Sequence, residues 1–240
     1  MVPLLDPSTG SGRADRNRPR LLDVYERLFE RYGAQHWWPA DDSFEVIVGA
    51  IVTQASAWTN VEKALENLKG AGLLTFEGVA EVSEVELAAL LRPSGYYNAK
   101  ARKLKAFIGL VNDGYEGDLG RMLAAPTGEL RDDLLATHGI GPETADSILL
   151  YAARRPVFVI DPYTQRIFSR LGMGPAGEAY DEWRDWFMGE LPRDVALYNE
   201  YHALIVRLGK AHCQKQPLCE ECPLVDVCDT GRRVELGLTV

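Results

Sequence analysis

The 240-residue chain has no apolar run able to cross a bilayer. Its longest, Val46–Val52 (VIVGAIV), falls far short of the ~20 residues a spanning helix needs. A secretory leader is also missing: the opening MVPLLDPSTGSGRADRNRPR lacks a continuous apolar stretch and carries its arginines after its leucine pair. Residues 1–18 therefore read as a flexible tail, and the expected setting is the cytoplasm, with no membrane partner. Basic residues are outnumbered, 26 Lys and Arg against 35 Asp and Glu, for a net charge of −9. That balance argues against general adhesion to a phosphate backbone. Strand-like sequence is confined to Pro156–Ile160 (PVFVI), too isolated to build a sheet. Cysteine is absent from residues 1–212, so no disulfide framework runs along the chain.

What is present is a helical pattern. Hydrophobic residues make up 46% of the chain, enough for one large or two modest cores. Ala145, Ile148, Leu149 and Ala152 recur at helical spacing, as do Tyr198, Tyr201, Ile205 and Leu208. Asp42 and Ser43 can cap a helix entering Phe44, and Gly70, Gly114 and Gly172 follow expected helix ends. The pattern predicts an all-α fold of about ten helices. Charge is uneven: residues 92–105 (RPSGYYNAKARKLK) hold Arg92, Lys100, Arg102, Lys103 and Lys105 and no acid. Such a run is either a solvated helix face or a local patch for nucleic acid.

Four signals carry chemistry. All four cysteines, Cys213, Cys219, Cys222 and Cys228, fall in one short segment. Thiolates gathered by two tight loops suit zinc or an iron–sulfur centre, and a single CxxC favours a 4Fe-4S cluster. The run Thr137-His-Gly-Ile-Gly-Pro-Glu-Thr-Ala-Asp146 lies between two helical patterns. Its glycines permit a tight αα-turn, Pro142 suits the first helical position, and free amides there can grip a phosphate without a positive side chain. Asp161, delivered by an apolar run and followed by Pro162, reads as a helix N-cap. A carboxylate so held can also stabilise positive charge on a sugar ring. Trp37, Trp38 and Trp58 are either packing residues or walls for a flat cationic ligand.

With these residues in place, the chain resembles the endonuclease III superfamily of DNA glycosylases, with its helix-hairpin-helix, Gly/Pro-rich loop and aspartate. The ordered marks are Phe44-Glu45, Thr53-Gln54, Gly95-Tyr96-Tyr97-Asn98-Ala99-Lys100-Ala101, Gly139-Ile140-Gly141, Asp161 and the four cysteines, from about Leu21 to Cys228. The resemblance implies a two-domain all-α fold: a six-helix barrel over 43–156, and a second domain from 19–42 and 157–228 that carries the cluster. Residues 229–240 are expected to be a tail. It implies a monomer binding damaged double-stranded DNA, with Asp161 catalytic. DNA contacts are implied at Gln54, Ser94, Gly95, Tyr96, Lys100, His138, Gly139, Ile140, Gly141, Glu143 and Thr144. It also implies a 4Fe-4S cluster on Cys213, Cys219, Cys222 and Cys228, and allows a monovalent cation at the hairpin.

Departures refine this. Glu143 stands where strand-cutting members carry lysine, and glutamate cannot form a Schiff base; a monofunctional enzyme is expected. His138 replaces a proline, the first cysteine gap is five residues rather than six, and only Lys215 is basic between Cys213 and Cys219. WWPADDSFEVIVGAIVTQ, RPSGYYNAKARKL and GIGPETADSILLY look like the endonuclease III-type 3-methyladenine glycosylases. In those, aromatics at the positions of Trp37 and Trp58 stack the damaged base. The expected activity is excision of alkylated purines. The alternatives are a uracil or thymine mismatch glycosylase, an oxidised-pyrimidine glycosylase/lyase, and a non-catalytic DNA-binding scaffold.

Overall fold

A computed structural model describes residues 20–237; the expected tail over 1–18 lies outside the described residues. Thirteen α-helices are formed there, and no strand among the described residues. The sequence pattern predicts about ten. The extra ones are short: α4 (Phe76–Glu81), α5 (Glu84–Leu90) and α7 (Leu119–Ala124) are under two turns each and offer no readable apolar period. The strand-like Val157–Ile160 is extended and buried, but pairs with nothing as a sheet.

Helix α1 (Leu21–Tyr32) turns Leu21, Val24 and Leu28 inward against α12 (Val195–Ala211). There the Tyr201 hydroxyl donates to the Leu21 carbonyl at 2.7 Å. Helix α2 (Ser43–Val52) is capped as expected by Asp42, which accepts from the Glu45 amide, and every residue from Phe44 to Val52 is buried. A helix apolar on all sides belongs at the centre, and α2 packs against α3 (Trp58–Gly70), α6 (Tyr97–Tyr115) and the turn Ile148–Ala152. Gly114, expected beyond a helix end, lies within the last turn of α6.

Helix α8 (Thr127–Ala136) and α9 (Pro142–Ser147) form the hairpin, and α9 continues as one wide π-type turn over Ile148–Ala152, all buried. Asp146, fully buried in α9, accepts from Arg131 Nε of α8 at 2.7 Å. Asp181 of α11 (Tyr180–Glu190) bridges Arg131 and Arg184 at 2.7 Å each. Two guanidinia thus answer a buried carboxylate whose desolvation would otherwise be costly, and they lock the hairpin to α11. Phe158 stacks on Phe187 of α11 at 4.3 Å and meets Tyr201 of α12 edge-on. These contacts fix the extended segment that leads into α10 (Pro162–Arg170). Where a tail is expected over 229–240, residues 238–240 lie outside the described residues and α13 (Asp229–Glu235) forms. Its Gly231 lies so close to Val225 that an added Cβ would sit 2.7 Å from the Val225 carbonyl oxygen.

Candidate active site

Asp161 ends the buried segment and caps α10. Its Oδ1 accepts from the Thr164 amide at 2.7 Å and the Thr164 hydroxyl at 2.8 Å, while Pro162 fills the first helical position. The carboxylate is only 7% exposed, and its Oδ2 faces His202 of α12. This is the cap that the sequence predicts, with one oxygen committed to the helix and the other turned inward.

The hairpin stands within electrostatic reach. Glu143, in the first turn of α9, is accessible to solvent yet crowded by protein. Desolvation, then the charge of Asp161, pushes its carboxyl up to about 7. Gly139 has a φ of +80°, and an added Cβ would meet the Lys103 stem at 2.5 Å, so glycine is required there on both counts. Gly141 has an ordinary φ of −95° and nothing within 4 Å of an added Cβ. The protein itself does not need glycine at 141, whereas an external group approaching the backbone would. Ile140 is buried and anchors the turn; His138 is exposed beside it.

Gln54 and Thr144, both expected at the DNA, are bonded to each other here. The Gln54 side-chain amide donates to Thr144 Oγ1 at 2.9 Å and to the Gly139 carbonyl at 3.1 Å, while Lys103 donates to its oxygen. In this form they brace the hairpin against the loop before α3. The basic run is likewise corrected. Lys100 is 1% exposed and donates to the Ser94 carbonyl at 2.7 Å, and Lys105 donates to the carbonyls of Val79, Ala80 and Val82. Burial and neighbouring Lys103 pull the Lys100 ammonium down to about 8. Ser94 is buried too, its hydroxyl donating to the Leu91 carbonyl. Of its five basic residues only Arg92 and Arg102 are exposed. The loop that Lys100 secures presents Gly95 and Tyr96 instead. Tyr96 is 75% exposed in a left-handed conformation, φ +47°.

The aromatics pack together rather than as parallel walls. Trp37 and Trp58 have ring centroids 5.8 Å apart with planes tilted by 41°. A base sandwiched between them needs parallel rings about 7 Å apart, two carbon contact distances. The two expected walls therefore do not form an open slot in this structure. Trp38 is edge-on to both Trp37 and Trp58 and 5.2 Å from the Tyr151 ring. Gly49 of α2 leaves room for it: an added Cβ would sit 3.1 Å from the indole. Tyr151 and His202, which connect this aromatic group to Asp161, have no role assigned by a motif in the sequence. The available signal was a lone histidine on the apolar face of α12.

The four cysteines are free thiols lining one cavity with Arg170, Leu218 and Val225. Among the described residues, no three His, Cys, Asp or Glu side chains converge to hold a single metal ion. Four thiols around a shared cavity are the donor set that a thiolate-bound metal centre takes. Burial raises Cys222, and neighbouring cysteines add to the rise, to about 11. Burial raises Cys219 and Cys228 as well, so holding these three as thiolates calls for a positive centre among them. Arg170 braces the loop, donating to Cys213 Sγ at 3.2 Å and to the Gln214 and Lys215 carbonyls at 2.6 and 2.9 Å.

The family model described as HhH-GPD superfamily base excision DNA repair protein matches residues 48–192, from the central helix through hairpin and aspartate. "Putative DNA repair glycosylase MJ1434" of Methanocaldococcus jannaschii is 46% identical over 210 residues, 87% of this chain and 95% of the relative. Endonuclease III of Thermotoga maritima is 28% identical over 214 residues, 89% of this chain and 94% of the relative. Among solved structures, the H. pylori 3-methyladenine DNA glycosylase (MagIII) bound to 1,N6-ethenoadenine superposes with a TM-score of 0.70 at 28% identity, covering 80% of this chain and 98% of that one. A non-covalent endonuclease III–DNA complex superposes at 0.75 with 23% identity, over 89% and 95% of the two chains, a likeness of fold. With its hairpin, capped aspartate and cysteine-lined cavity in one helical frame, the chain belongs to the HhH-GPD superfamily of base excision DNA repair proteins and is an endonuclease III-like DNA glycosylase.

Proposed function

We propose that this chain is a monofunctional N-glycosylase that removes alkylated purines such as 3-methyladenine from duplex DNA. The observation that carries the reading is the pairing at the hairpin. Asp161 is fixed with one inward carboxylate oxygen, and the neighbouring position that would need an amine for strand cutting holds Glu143.

In this reading the amides of Gly139, Gly141, Glu143 and Thr144 hold a backbone phosphate, helped by the open approach at Gly141. Arg92 and Arg102 supply the exposed charge nearby. Tyr96 is the side chain projecting far enough to press into a base stack, offsetting a few kcal/mol of unstacking. The flipped purine enters among Trp37, Trp38 and Trp58, where a cationic alkylpurine stacks favourably on electron-rich indoles; Trp37 and Trp58 must part to admit it. The C1′–N bond breaks with its electron pair leaving on the base, which becomes neutral and needs no proton. Asp161 stabilises the oxocarbenium-like sugar, and water adds at C1′ and releases a proton to solvent.

Cys213, Cys219, Cys222 and Cys228 would hold a 4Fe-4S cluster, which supplies structural cross-linking. The carbonyls of Thr137 and Gly139 each accept one hydrogen bond, leaving a lone pair that a hairpin monovalent cation would use. End-labelled duplexes carrying a methylated purine test the monofunctional reading. Strand breaks should form only after alkali or heat, and borohydride should trap no covalent complex. Breaks without alkali, or a trapped adduct, would contradict it.

A further inference from the structure

A buried polar chain lies between the tryptophans and the aspartate. His202, 7% exposed in α12, has Nδ1 2.6 Å from the Tyr151 hydroxyl oxygen and Nε2 3.7 Å from Asp161 Oδ2. That Nε2 is buried without a hydrogen-bond partner, and Thr164 already occupies the other carboxylate oxygen. The direction of the chain follows from chemistry. Burial, and then the Asp161 charge, pushes Tyr151 well above the ordinary phenol range, so it keeps its proton. Burial pulls His202 below the ordinary imidazole value despite the opposing pull of Asp161, so the ring is neutral at pH 7. A neutral imidazole has one donor and one acceptor nitrogen. With Tyr151 donating to Nδ1, the ring proton sits on Nε2 and points at Asp161; the other tautomer would set a bare lone pair against a carboxylate.

We propose that His202 and Tyr151 are positioning residues for Asp161. Tyr151 fixes the His202 tautomer, and His202 donates Nε2–H to the carboxylate oxygen that Thr164 leaves free. The proposal rests on the reading of Asp161 as the anion beneath the sugar. With Thr164 on one oxygen and His202 on the other, the carboxylate plane is set from both sides. The 3.7 Å separation closes to a hydrogen bond with a shift of less than about 1 Å, and catalytic hydrogen bonds commonly tighten only once substrate is bound. Tyr151 also touches Trp38, so the same chain links the aromatic group mechanically to the carboxylate.

Single-turnover release of 3-methyladenine from methylated duplex DNA tests this, with thermal midpoint and DNA affinity measured on each variant. His202→Phe should slow release on the order of 10²-fold, the cost of misplacing a reacting group by about 1 Å, with DNA affinity unchanged. His202→Gln, which keeps an N–H at similar reach, should recover most of the loss. In an Asp161→Asn background His202→Phe should cost nothing more, because it acts only through the carboxylate. Equal losses in the Phe and Gln variants, or a fully additive loss in the double variant, would overturn the proposal. An Asp161→Asn single variant at wild-type rate would instead remove the reading beneath it. Should His202→Phe fail to fold, 15N NMR of the wild-type His202 ring decides: Nε2 protonated supports the chain, and Nδ1 protonated overturns it.

Discussion

Asp161 joins an observed role to a proposed one, and substitution can separate them. As the cap of α10 it accepts from the Thr164 amide; in the proposed mechanism it is also the charge beneath the sugar. Asparagine caps about as well as aspartate but carries no charge. Asp161→Asn should therefore keep its melting temperature within a degree or two while base release falls by about 10²-fold or more, in line with losing a preorganised charge. Alanine should additionally cost about 1 kcal/mol of stability through the lost cap. Calorimetry beside single-turnover kinetics reads both effects. Glu143 makes a pH prediction. Its folded value of about 7 lies above the ordinary glutamate value of 4.5, so between those values the folded state holds a proton that the unfolded state releases. The stability this contributes is present at acid pH and is lost as pH rises through 7. The melting temperature of Glu143→Gln relative to wild type should accordingly climb from pH 4.5 to 8; a flat difference would contradict the crowded, Asp161-facing placement.

At the scale of elements, the basic run shows how charge and direction part company. Lys100 lies on α6 among residues that look like a DNA-facing patch, yet its ammonium holds the Ser94 carbonyl inside the loop. Lys100→Met should thus leave the slope of log affinity against log salt unchanged, because no phosphate contact is lost. Arg102→Ala, at an exposed position, should reduce the slope by about 1. A slope change for Lys100→Met would return that residue to the DNA surface. The hairpin itself is legible from the chain, since positive-φ glycine, apolar anchor and helix-opening proline are local requirements written in the four consecutive residues 139–142. Asp161 is legible for the same reason, as a cap before proline. Nothing local reveals that Gln54 bonds Thr144 ninety residues away, or that Tyr151 reaches His202 across fifty-one. The wide turn at Ile148–Ala152 adds to this by breaking the 3.6-residue period just where Tyr151 must be aimed.

For the whole molecule, one continuous apolar core joins α1 and α12 to the helices around α2. By contrast, the segment from Cys213 to α13 contributes little more than Leu224 to that buried core. It is held to α10 through Arg170 and through Arg166, which donates to the Cys213 carbonyl at 2.9 Å. If four thiolates close on a cluster there, its loss should release residues 213–235 to rapid hydrogen exchange while α2 and α12 stay protected. Uniform deprotection, or none, would contradict a local cross-link. An Asp161-dependent site that expels a cationic alkylated base and leaves the sugar backbone whole is legible in its products. Chromatography of the free bases released from methylated genomic DNA, run beside uracil-containing and oxidised duplexes and repeated with Asp161→Asn, tests it most directly. Wild type should release 3-methyladenine with no strand scission, and Asp161→Asn about a hundredfold less in the same time; uracil, thymine or an oxidised pyrimidine in place of the methylated purine would contradict this reading.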